Sequence, residues 1–120
     1  MYIEKKGVMI VGMDAYIFRA RNKKVFEEDH WYDSDQVKEA WYARKYWDMI
    51  HNVPFIRSIE EDCGEFIQLT KENIKEMIDV ATRIPDYWGG FNTVPALCEI
   101  LYNFDQDEED GWHYYFEFDY

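Results

Sequence analysis

The chain has little cysteine, few basic residues and no long apolar run. Its two cysteines, Cys63 and Cys98, make neither a disulfide framework nor a zinc-ligand spacing, so a reduced, cytoplasmic protein is expected. No stretch of 18 apolar residues occurs, and Val8–Val11 is too short for a signal core, so no membrane partner is expected. Lys and Arg number 13 against 25 Asp and Glu, for a net charge of −12. That balance excludes a basic footprint for nucleic-acid phosphates and disfavours docking on an anionic membrane. Glycine and proline are also sparse, at six and three, and no linker or internal repeat is seen. Residues 1–120 read as one domain.

Aromatic residues, by contrast, are abundant: 5 Trp, 10 Tyr and 8 Phe. Each buried ring removes a large apolar area from water, so a chain of this size can build a core from few positions. The negative charge is unevenly placed. Residues 1–53 hold nine basic and nine acidic residues, whereas 54–120 hold four and sixteen. The surplus suits solubility and steers the chain toward basic protein surfaces.

Val8–Phe18 reads as a strand, with Gly12 marking a bulge or close approach. A basic turn from Arg19 to Lys24 and a loop over Val25–Asp33 follow. Ser34 reads as the N-cap of a helix running to about His51, with Val37, Ala40, Trp41, Arg44, Trp47 and Ile50 at three- and four-residue spacing. One helical turn over Ile56–Glu61 and a short strand over Glu65–Leu69 come next. Thr70 caps a second helix with an apolar stripe of Ile74, Met77, Ile78 and Ala81, stopped by Pro85. Thr93 caps a third, with Val94, Leu97, Cys98 and Leu101 toward the core. The run Asp105–Asp110 opposes the helix dipole, so that helix is expected to end or fray there. His113–Tyr120 alternates as a half-buried strand, Tyr114, Phe116, Phe118 and Tyr120 on one face. The pattern predicts an α+β fold: a small, mainly antiparallel three-stranded sheet covered on one face by about three helices.

Four ordered stretches carry a resemblance. Gly12-Met13-Asp14-Ala15-Tyr16-Ile17-Phe18, Tyr42-Ala43-Arg44-Lys45-Tyr46-Trp47 with Ile50-His51-Asn52, Cys63-Gly64-Glu65-Phe66 before Leu69-Thr70-Lys71-Glu72, and Asp110-Gly111-Trp112-His113-Tyr114-Tyr115-Phe116-Glu117 together resemble a family of small bacteriophage- and prophage-encoded proteins. The likeness runs from about Gly12 to the C-terminus. It implies a location in the cytoplasm of a bacterial host and makes residues 1–11 an N-terminal extension. The family tends to carry Trp where this chain has Ala43.

The helix reading brings Arg44, Asp48 and His51 onto one face, an anion-binding Arg beside an Asp-oriented His, with Glu65 as a further candidate. Read blandly, the same residues are an ion pair and a His that suits a helix end. Cys63 with His51 as base lacks any cysteine-enzyme signature, so no catalytic residue is assigned. Asp14, Glu117 and Asp119 would share a face, a weak candidate for Mg²⁺ or Ca²⁺, if the terminal strands were neighbours, and Asp14, next to the most apolar strand, calls for a basic partner such as Arg44. Asp105–Asp110 lacks the ligand spacing of a calcium loop, and Gly89-Gly90 lacks a phosphate-loop Lys, so no metal or cofactor is expected. The candidate interaction residues are Trp41, Trp88, Asp105, Asp107, Glu108, Glu109 and Asp110. The expected function is binding and modulating a protein with a basic surface, such as a host-defence or nucleic-acid-processing factor; DNA mimicry is the sharpest form. The alternative is a small enzyme or ligand-binding domain built on Arg44, Asp48 and His51. A homodimer through an aromatic edge stays open.

Overall fold

A computed structural model describes residues 13–44, 47–58, 64–84 and 92–119. Four strands, β1 (Asp14–Ala20), β2 (Val37–Arg44), β3 (Ile67–Gln68) and β4 (His113–Asp119), form one sheet in the order β2-β1-β4-β3. Every pairing is antiparallel. The helices are α1 (Trp47–Asn52), α2 (Pro54–Ser58), α3 (Lys71–Ala81) and α4 (Thr93–Glu109). The α+β class and the antiparallel sheet agree with the sequence reading. The sheet has four strands rather than three, and the additional one is β2.

Residues 34–51 were expected to be a single helix, and the reason for the difference is local. Ile17 pairs with Trp41 but Phe18 pairs with Glu39, so Ala40 is an extra residue on β2. This bulge breaks the two-residue alternation and produces spacings that mimic a helix. Val37 therefore packs on one sheet face while Trp41 and Ala43 pack on the other. Ser34 caps a turn, its Oγ accepting from the Gln36 amide at 3.0 Å. Among the described residues of this stretch, α1 is the part that is helical.

The main core lies on the helix-covered face. Met13, Ala15 and Ile17 precede or line β1, Phe116 and Phe118 come from β4, and they meet Met49, Ile56, Ile74, Met77 and Leu97 from the helices. Thr70 does cap α3, in a reciprocal capping box with Asn73. The opposite face is not bare. The expected loop after β1 holds two 3₁₀ turns, Lys23–Glu27 and Trp31–Asp33, and folds back over Phe18, Ala20 and Tyr115. Phe26 stacks on Phe66 at 4.0 Å, and Trp31 meets Phe18 edge-on at 5.1 Å. Consequently Tyr114 to Phe118 are all buried, and β4 is a covered central strand rather than a half-buried one.

Trp41, expected at an interface, lies in the core instead. It is 3% exposed and its indole N–H donates to Thr93 Oγ1 at 3.1 Å. Thr93 is thus the first residue of α4, and Asn92, at φ 51°, stands in the cap position. Trp41→Phe should lower stability by about 1–2 kcal/mol through the lost hydrogen bond and the void, read as a shifted urea midpoint at constant slope. A midpoint within error of wild type would show that the contact contributes nothing. Cys98 also departs from expectation, being exposed. The buried stripe of α4 is Thr93, Leu97, Ile100 and Phe104, a phase that turns Cys98 outward.

Candidate interaction surface

Helix α4 continues through the acidic run to Glu109, although that segment was expected to fray. Its end is a Schellman turn. Gly111, at φ 89°, occupies the left-handed position, Trp112 N–H donates to Asp107 C=O at 2.8 Å and Gly111 N–H to Glu108 C=O at 3.0 Å. The last turn contains no basic residue. The compensating cations come from β1 and the residue after it. Arg21 donates to the Asp110 carbonyl at 2.6 Å, and Arg19 to Asp107 Oδ1 at 3.3 Å. Both guanidinium groups stack on Trp112, at 4.4 Å for Arg19 and 3.9 Å for Arg21, which holds them in place.

Asp107 therefore plays an internal role. Besides Arg19 it accepts from the Tyr114 hydroxyl, and burial, then this hydrogen bond, pushes the Tyr114 phenol well above its usual range. The other acids of the run face water. Asp105 pairs with Lys71 at 2.9 Å but stays 76% exposed, so the pair contributes little. Glu108, Glu109 and Asp110 are exposed. Earlier on α4, Tyr102 is 88% exposed. Residues three and four apart on a helix are neighbours, so Cys98, Glu99, Asp105 and Gln106 surround it. An exposed aromatic ring inside an acidic frame is thus the outer ridge of α4.

Beside this ridge, between α4 and β2, runs a groove of roughly 410 Å³ lined by Lys38, Glu39, Glu99 and Asn103, with Arg19 and Tyr114 contributing. Its charged lining residues are Arg19, Lys38, Glu39, Glu99 and Asp107.

The polar candidates are dispersed. Arg44 ends a strand, and because Ala43 packs in the helix-side core, Arg44 leaves on the opposite face. His51 is exposed on α1, a helix whose Met49 packs on the helix side. Glu65 is exposed just before β3. The side chain of Asp48, together with Cys63 and Trp88, lies outside the described residues. Arg44 stands on a strand, so its helical spacing to Asp48 and His51 is lost, while Asp48 and His51 both fall in α1 at three-residue spacing.

Asp14, Glu117 and Asp119 do come together. β1 and β4 are neighbours, with Asp14 opposite Asp119 and Tyr16 opposite Glu117. On the other side Asp14 faces Arg44 and Tyr16 faces Tyr42. The Tyr42 hydroxyl donates to Asp14 Oδ1 at 2.8 Å, which, with burial, pushes its pKa up to about 12. Glu117 is 8% exposed. Burial first, then the charges of Asp119 and Asp14, raise it to about 7. Among the described residues no group of three His, Cys, Asp or Glu is arranged to hold a metal ion, and no helix is long and apolar enough to cross a membrane.

In comparisons with protein-family models, curated proteins and solved structures, nothing matches this chain.

Proposed function

We propose that this protein acts by binding rather than catalysis, docking a basic surface of a partner protein on the outer ridge of α4. One observation carries the reading: α4 presents the exposed ring of Tyr102 next to exposed Asp105, and continues into exposed Glu108, Glu109 and Asp110 at the negative end of its own dipole. Charges of that sign in a last helical turn oppose folding by about 0.3–1 kcal/mol apiece, and a basic partner would reverse that cost. Tyrosine is a common anchor at interfaces, and surrounding carboxylates supply steering and partner choice. The resemblance to bacteriophage-encoded proteins supports a host factor as partner, and a nucleic-acid-processing or defence protein has the basic surface required.

The test combines stability with binding. A variant with Asp105→Asn, Glu108→Gln, Glu109→Gln and Asp110→Asn should unfold at higher urea than wild type, by about 1 kcal/mol in total. It should also lose the protein captured from bacterial lysate by wild type, as should Tyr102→Ala. The captured protein should elute as salt rises, because an exposed ionic contact is screened within about 8–10 Å at physiological salt. Equal capture by the neutralised variant, or retention unchanged at 1 M salt, would sink the proposal.

A further inference from the structure

We propose that the groove between α4 and β2 is a binding site for a small linear zwitterion, a carboxylate and an ammonium group joined by a short spacer, with the carboxylate toward Lys38 and Arg19 and the ammonium toward Glu99. The groove borders the α4 ridge, but its occupant does not rest on the reading of that ridge.

The space comes from small side chains at a bulge. Ala40, the extra residue of β2, and Ala96 on α4 both line the groove, and neither is large enough to fill it. Bulges are over-represented beside functional sites because they bend and re-aim a strand. The volume of roughly 410 Å³ falls within the range of small-molecule sites, about 300–1,000 Å³. Contacts at its two ends set the direction. Trp41 on β2 meets Thr93 at the start of α4, and Arg19, which pairs with Lys38 across the strands, meets Asp107 near the end of α4. The cations of the sheet therefore stand toward Asp107, and Glu99 lies about 12 Å back along the helix at the backbone.

The charge along the groove is arranged as a dipole. Arg19 and Asp107 pair at 3.3 Å, so their charges cancel. Glu39 lines the groove, but its charge acts on Tyr16, which packs on the opposite face of the sheet. Lys38 and Glu99 remain, both exposed and neither in an ion pair with a described residue. Lys38 also stands directly across from Arg19, and like charges so placed repel. Arg19 is itself under-satisfied: Nη1 serves Asp107, while Nε is buried without an acceptor among the described residues. A carboxylate at this end relieves the repulsion and gives the two cations a common partner. Glu99 makes a plain anion a poor fit and an ammonium group a good one.

The separation of the two ends selects the length of the ligand. An extended dipeptide spans about 7 Å, and the Lys38 and Glu99 side chains reaching inward close the remainder. An α-amino acid carries both charges on one carbon and is too short to meet both ends. Between the ends, Ala40, Ala96 and Ile100 give the spacer an apolar floor. Asn103 donates from Nδ2 to the Glu99 carbonyl at 3.0 Å, which leaves its Oδ1 to accept from an amide N–H of the ligand.

Two probes separate the sources of the zwitterion. The compound 6-aminohexanoate represents a free ω-amino acid, and glycylglycine represents a peptide. Each is titrated into the whole chain at pH 7, following the backbone amides of Ala40 and Asn103 by NMR. Saturable shifts at both residues with either probe support the site, and the tighter probe identifies the source. Lys38→Met and Glu99→Gln, both at exposed positions and checked for unchanged urea midpoints, should each weaken binding at least fivefold. Ala96→Leu, which fills the groove, should abolish it. Hexanoate and hexylamine, with one charge each, should bind at least fivefold more weakly than the better zwitterion. Absence of a saturable shift with both probes, equal binding of either singly charged compound, or unchanged affinity in Glu99→Gln would overturn the proposal.

Discussion

Asp107→Ala is expected to destabilise the protein by about 2–4 kcal/mol, more than any other change in the acidic run. Asp107 accepts from Arg19 and from the Tyr114 hydroxyl, and Tyr114 is 4% exposed. Without the carboxylate, a buried phenol loses its acceptor. Arg19, whose Nε is already buried without a hydrogen-bond partner among the described residues, loses its Nη1 contact as well. Urea unfolding of Asp107→Ala beside Asp105→Asn makes the contrast. The first should lose several kcal/mol, while the second, an exposed end of a surface pair, should change by less than about 0.5 kcal/mol. Equal midpoints would mean that the node contributes no more than a surface charge.

The second large effect is a gain. Glu117→Gln should stabilise the protein at pH 8 by roughly 2–3 kcal/mol and leave it nearly unchanged at pH 5. Glu117 rises from an ordinary 4.5 to about 7 in the folded protein, so folding takes up a proton between those values. The stability associated with the neutral carboxyl is complete below pH 4.5 and is lost as the pH rises through about 7. Glutamine is neutral throughout, so the difference between the two proteins should open across that window. Paired denaturation curves from pH 4 to pH 9 measure it, and a difference independent of pH would sink the idea. Glu117 is charged at the expense of the fold because burial, then the charges of Asp119 and Asp14, oppose its ionised form.

These two acids show why reading an acidic sequence by net charge alone is insufficient. Asp107 and Glu108 are adjacent in the chain, yet one ties β1 and β4 to α4 while the other faces water. The acids of the helix tip are tolerated because Arg19 and Arg21 approach them from 88 and 89 residues away. The dipole argument for fraying at Asp105 is locally sound, but it omits those two arginines and the Trp112 ring on which they stack.

The sequence by itself determined what depends on neighbours in the chain: the α+β class, the capping of α3 by Thr70, and the alternation of Tyr114, Phe116 and Phe118. A cap, a stripe and an alternation each have a period of a few residues and survive in most surroundings. The tertiary structure alone decided that residues 37–44 pair as a strand, since the bulge at Ala40 gave them helical spacing and only pairing with β1 resolves the ambiguity. It also decided that Trp41 belongs to the core, that Cys98 turns outward, and that Asp14, Glu117 and Asp119 meet on one face. Those outcomes depend on which strands are neighbours, a long-range choice made by total burial and hydrogen bonding rather than by local pattern.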